Sequence, residues 1–90
     1  MMTTLFSNSY PSLDLHGTDR DYARISINDF IYDNYKMGNR YVTIIHGNGS
    51  GIIKKTTQEV LKKNKYVEDF KIDNFNVGQT IVVIRKSIDN

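Results

Sequence analysis

Ninety residues with a formal charge of +2 and no cysteine make one small domain, and exclude both disulfides and thiolate metal sites. Hydrophobic residues at 39% and charged residues at 24% are ordinary for a globular fold and argue against disorder. The mildly basic balance permits a nucleic-acid partner without demanding one. The apolar runs are too short to cross a bilayer and residues 1–7 lack the features of a secretory signal, so a cytoplasmic protein with no membrane partner is expected.

Residues 1–12 are polar and patternless, carry the only proline, Pro11, and read as a flexible N-terminal arm. Residues 13–86 form the domain and 87–90 a C-terminal tail. Residues 13–16 read as a short strand with Leu13 and Leu15 on one face and Asp14 and His16 on the other. Thr18 is placed as a helix N-cap, with Asp19 and Asp21 in the first turn, where acidic groups suit the macrodipole. Ala23, Ile27, Phe30 and Ile31 follow helical spacing, Asn34 breaks the stripe and Gly38 stops a helix over 19–37.

Residues 41–45 are a β-branched run and predict a well-packed strand. The loop Gly47-Asn48-Gly49-Ser50-Gly51 leads into a second helix over 52–64, with Ile53, Thr57, Val60 and Leu61 as its stripe and Asn64 as its stop. Residues 67–72 alternate as a strand, with Val67, Asp69 and Lys71 against Glu68, Phe70 and Ile72. Residues 73–78 carry turn chemistry, and 80–85 form a buried strand. The order β-α-β-α-β-β predicts an α/β domain of the α+β two-layer kind. One mixed four-stranded sheet packs on two helices, the strands joined through helices run parallel, and the final pair is antiparallel.

Both histidines of the chain, His16 and His46, stand where a strand hands over to a helix, the place where open α/β sheets bind ligands. Three glycines within Gly47–Gly51 let a ligand approach the backbone closely, and the helix that follows attracts anions. The loop lacks the Lys-Ser/Thr ending of a Walker motif and the dinucleotide spacing; it reads as a phosphate cradle or as a tight structural turn. Lys54 and Lys55 sit in the first turn of the second helix, where a cation costs about 0.3–1 kcal/mol, a position that suits an anionic partner or simply solvates the helix. Arg20 and Arg24 extend the basic surface towards His16. Asp14, two residues before His16, is placed to orient its ring. Two imidazoles provide a base and an acid for phosphodiester chemistry. A metal site of the two histidines and Asp14, such as Zn²⁺ with an open position, ranks second. No cofactor is expected, with a divalent metal left open.

Leu13-Asp14-Leu15-His16-Gly17 and Ile44-Ile45-His46-Gly47-Asn48-Gly49-Ser50-Gly51, each followed by a helix, resemble the two motifs of the Smr (small MutS-related) domain, over roughly 13–85. The resemblance implies a fold similar to the C-terminal domain of bacterial translation initiation factor three. It also implies nucleic-acid binding and, in many members, endonuclease activity, either nicking of DNA or cleavage of mRNA on stalled or collided ribosomes. The family's Asp-Leu-His element, tied to cleavage, maps onto Asp14, Leu15 and His16. Its His-Gly-x-Gly-x-Gly element maps onto His46, Gly47, Gly49 and Gly51. Asn48 stands where Lys is frequent, removing one phosphate contact, and Ser50 where Thr is usual. The chain is expected to be a stand-alone copy of the domain, without the MutS-like ATPase part that carries it in some relatives.

The reading is a small endonuclease acting on RNA, with the ribosome as a possible setting, or nicking DNA. Gly47, Asn48, Gly49, Ser50 and Gly51 hold a phosphate, and Lys54, Lys55, Arg20 and Arg24 track the backbone. His16, oriented by Asp14, accepts a proton, and His46 donates one or stabilises phosphate, with the two roles exchangeable. The alternatives are a non-catalytic module binding RNA, DNA or the ribosome, and a small-anion or nucleotide site. The sequence does not fix the oligomeric state.

Overall fold

A short strand β1 (Ser12–Asp14) is joined by helix α1 (Arg20–Met37) to strand β2 (Tyr41–Ile45), which helix α2 (Ile52–Lys63) joins to the hairpin β3 (Val67–Asp73) and β4 (Asn76–Ile84). This computed structural model describes residues 10–49 and 51–87; most of the expected N-terminal arm, Ser50 and the end of the C-terminal tail lie outside the described residues. The strands form one sheet in the order β1-β2-β4-β3. β1 pairs parallel to β2, and β4 pairs antiparallel to both β2 and β3. β2 and β3 therefore run the same way, as the helical crossover requires, with β4 inserted between them.

Both crossovers step across the sheet in the same direction, so connections of one hand bring both helices to one face. That face holds a single core. Val42 and Ile44 of β2, Val82 and Ile84 of β4, Ala23, Ile27 and Ile31 of α1, and Val60 and Leu61 of α2 are all buried in it. Because both helices leave the carboxyl ends of parallel strands, their N-termini meet at one edge of the sheet. There Thr18, Asp19, Arg20 and Asp21 face Ile52 and Ile53 across a groove of about 490 Å³.

The local sequence explains where the elements stop. Asp19, not Thr18, caps α1: its carboxylate accepts the Tyr22 N–H at 2.8 Å. The Thr18 hydroxyl instead donates to the Leu15 carbonyl at 2.8 Å, which tightens the turn after β1. Asp19 wins because its carboxylate both bonds an orphan amide and carries the charge that the helix dipole favours. At the other end, the Gly38 N–H donates to the Tyr35 carbonyl and the Asn39 N–H to the Asn34 carbonyl. Asn34, 2% exposed, is satisfied by the Phe30 carbonyl and the Asn39 amide.

The hairpin differs from its expected form in two ways. A register shift between Val67 and Asp69 puts one extra residue in β3. Val67 therefore faces the core together with Phe70 and Ile72, not with Asp69 and Lys71. In addition, β4 begins at Asn76, four residues before the expected start, because the turn is confined to Asn74 and Phe75. No helix among the described residues is long and apolar enough to cross a membrane.

Candidate functional site

Asp14 of β1 pairs with Ile45 of β2, and the Leu15 N–H carries the ladder on to the Ile45 carbonyl at 2.8 Å. The chain then continues to His16 on one strand and His46 on the other. The structure thus brings both histidines to one sheet edge, but their environments are opposite. His16 is exposed, and its ring has no hydrogen-bond partner among the described residues. Asp14 accepts the backbone N–H of His16 at 2.9 Å. The carboxylate fixes the turn of the chain and does not engage the imidazole, so the expected orientation of the ring by Asp14 is replaced by orientation of its backbone.

His46 continues the alternation of Val42 and Ile44 and so points to the core side of the sheet. It is 7% exposed. Its Nε2 lies 2.9 Å from the hydroxyl of Thr80, itself fully buried, and its Nδ1 lies 3.1 Å from the Gly47 carbonyl. A carbonyl only accepts, so the proton sits on Nδ1 and the Thr80 hydroxyl donates to Nε2. Burial pushes the His46 pKa below the usual 6.5, and the charge of nearby Lys54 pushes the same way; the Gly47 carbonyl opposes them. His46 is therefore neutral at neutral pH, with both ring nitrogens engaged inside the protein. The expected proton-donor role conflicts with this geometry.

β4 is the scaffold of the glycine loop. The Gly78 carbonyl accepts both the His46 N–H at 2.9 Å and the Gly47 N–H at 2.8 Å. A Cβ at Gly78 would stand 3.2 Å from the Asn76 side chain and 3.4 Å from that of Asn48, so hairpin and loop are in close contact. Gly47 and Gly51 have φ of 80° and 90°, a region costly to any residue with a Cβ. Gly51 opens α2 as its N-cap residue and, having no side chain, supplies no side-chain cap of its own. Gly49 and Asn48 are exposed.

The cations divide. Lys54 is half-buried close to His46, and Lys55 is exposed in the same helical turn. Arg20 lines the groove between the two helix N-termini. Arg24 is engaged differently. It pairs with Asp21 at 3.2 Å and lines a separate groove of about 280 Å³ with Asn28, Glu59 and Lys63, lower on the helices. Among the described residues, no three His, Asp or Glu side chains converge as a metal site, so Asp14, His16 and His46 do not gather as the second-ranked metal alternative would need.

Thr80 and Gly78 were not among the sequence-derived site residues. For Thr80 a signal is present in the sequence: it shares a strand face with Val82 and Ile84, and a polar residue on a core face demands a buried partner.

The Smr domain family model matches residues 13–85. Over 74 residues the chain is 32% identical to endonuclease MutS2 of Clostridium perfringens, and 36% identical to endonuclease MutS2 of Caldanaerobacter subterraneus subsp. tengcongensis. Each alignment covers 82% of this chain and 9% of the relative, so the chain spans about a tenth of the length of these proteins. Among solved structures, the Smr domain of Thermus thermophilus MutS2 superposes with a TM-score of 0.80 at 24% identity, covering 83% of this chain and 98% of that one. YdaL, a stand-alone small MutS-related protein from Escherichia coli, superposes with a TM-score of 0.80 at 26% identity, covering 86% and 68%.

Proposed function

Because this chain belongs to the Smr domain family, we propose that it binds nucleic acid at the edge where β1 and β2 end and cleaves the phosphodiester backbone of RNA there. The observation that carries this reading is His16: an exposed imidazole without a hydrogen-bond partner among the described residues, at the same sheet edge as a glycine loop and a helix N-terminus. The Ile53 and Lys54 amides in the first turn of α2, with the Lys54, Lys55 and Arg20 side chains, hold phosphate. His16 is the catalytic base. It takes the proton of a ribose 2′-hydroxyl, whose oxygen attacks phosphorus. The bond to the 5′-oxygen breaks, and that oxygen leaves with a proton from water at this open edge. The products are a 2′,3′-cyclic phosphate and a 5′-hydroxyl. Asp14 and His46 are positioning residues, the first for the His16 backbone and the second for the loop.

The test is incubation of end-labelled RNA and DNA with the wild type and His16→Ala in EDTA, followed by end-group analysis. A positioned base contributes about 10²- to 10⁴-fold, so His16→Ala lowers cleavage by that much and leaves binding intact. Cleavage that requires added Zn²⁺ or Mg²⁺ replaces the base with metal chemistry. Binding without cleavage by the wild type leaves a non-catalytic module.

A further inference from the structure

The hairpin turn carries a side chain that the proposed chemistry leaves unused. Phe75 is 100% exposed and Val77 53% exposed. The last pairing of β2 with β4 joins Ile45 to Gln79, so Asn76, Val77 and Gly78 run past the end of β2 and carry Phe75 beyond the sheet edge that holds His16. The turn is built to hold it there. Asp73, buried beneath, accepts the Phe75 N–H at 2.9 Å and the Gln79 side-chain amide at 2.8 Å through its two carboxylate oxygens. Asn76 accepts the Gly78 N–H at 3.0 Å. The same Gly78 ties the hairpin to the backbone of His46 and Gly47. Three residues of extended chain span at most about 10 Å, which bounds the distance of the Phe75 backbone from that tie.

We propose that Phe75 is a stacking platform for an unpaired base of a single-stranded nucleic acid whose backbone lies along the strand-end edge. This rests on the nucleic-acid reading above and adds a preference for single strands. An aromatic ring held out on a fixed turn beside a phosphate-binding loop is the combination that single-strand binders use: cations follow the backbone and ring faces take the bases, whatever their sequence. A paired base keeps its faces inside the duplex stack, so duplexes gain nothing from Phe75. A protein partner is a poorer fit. Stable protein interfaces bury about 800 Å² on each side, whereas Phe75 and Val77 offer one ring and one small side chain, enough to cover a base.

The chain has no tryptophan, so Phe75→Trp supplies a single fluorescent reporter at the hairpin tip. Titration with oligouridylate quenches its emission, and Phe75→Trp binds as the wild type does. Phe75→Ala binds the single strand about 5- to 150-fold more weakly, the effect of one lost stack, and binds a duplex of equal length unchanged. A Phe75→Ala affinity equal to that of the wild type, or emission unaltered at saturating oligonucleotide, overturns the inference and leaves the turn as a surface for protein contact. A wild type that binds no oligonucleotide at all overturns the underlying functional reading as well.

Discussion

The bond between Thr80 and His46 makes a quantitative demand on stability. Thr80→Val keeps the shape of a fully buried side chain and removes the hydroxyl that donates to His46 Nε2 across 2.9 Å. The ring nitrogen is then left without a partner at a site that water barely reaches. Leaving a buried acceptor unsatisfied costs about 1–3 kcal/mol, and each kcal/mol lowers the melting temperature of a domain this size by roughly 4–8 °C. Stability alone does not separate this effect from a packing defect, so a double-mutant cycle is needed. Thr80→Val, His46→Ala and the pair are unfolded in urea at pH 7.5. If the hydrogen bond is as described, the cycle returns a coupling of about 1–2 kcal/mol, because Thr80→Val costs little once the imidazole is gone. Nitrogen chemical shifts of His46 in the wild type report the Nδ1–H tautomer. A coupling below about 0.3 kcal/mol, within the scatter of independent sites, or the Nε2–H tautomer, would mean that Thr80 does not hold the ring through this bond.

Two other measurements bear on the same edge. Each phosphate neutralised on a single strand adds about −0.7 to the slope of log affinity against log salt. Lys54, Lys55 and Arg20 together therefore give a slope of about −2, each replacement by Ala removes about 0.7 of it, and Arg24→Ala leaves it unchanged; an equal loss for Arg24 would place the strand path elsewhere. The second concerns pH. Burial lowers the pKa of His46 in the folded state, so below pH 6.5 the unfolded chain binds the extra proton first. Stability is therefore intact above about 6.5 and falls as pH drops towards the folded value, by at most about 1.4 kcal/mol per unit. His46→Gln removes that component of the slope in urea titrations between pH 5 and 7.5, and an unchanged slope would assign it to other groups.

The architecture was readable because helical and strand periods alternate cleanly along the chain, and Tyr41–Ile45 and the α2 stripe follow them without interruption. The errors arose where one residue type suits two structures. Residues 73–78 have the composition of a turn, yet only Asn74 and Phe75 turn, because Asp73 closes the bend with its carboxylate and frees Asn76 to pair. The bulge after Val67 reverses the faces of Asp69, Phe70, Lys71 and Ile72, and no alternation pattern anticipates an inserted residue. At the site, the meeting of the two histidines at one edge followed from parallel pairing, but the fate of each ring did not follow from its motif. The alternation of Val42, Ile44 and His46 already aimed the second imidazole inward, and the first follows Asp14 on the opposite face. Arg24 lies one turn past Arg20, paired with Asp21 and in the groove that also holds Glu59, a placement that helical spacing alone does not reveal.

The two outer strands limit what the sheet can grow into. β1 is three residues long, too short to template another chain. β3 is bulged and studded with Glu68, Asp69 and Lys71, so an incoming strand meets a kinked rail of charge in place of a flat ladder of free amides. Where copies are crowded together a straight, bare margin would invite fibrils, and neither outer strand, as described, presents one.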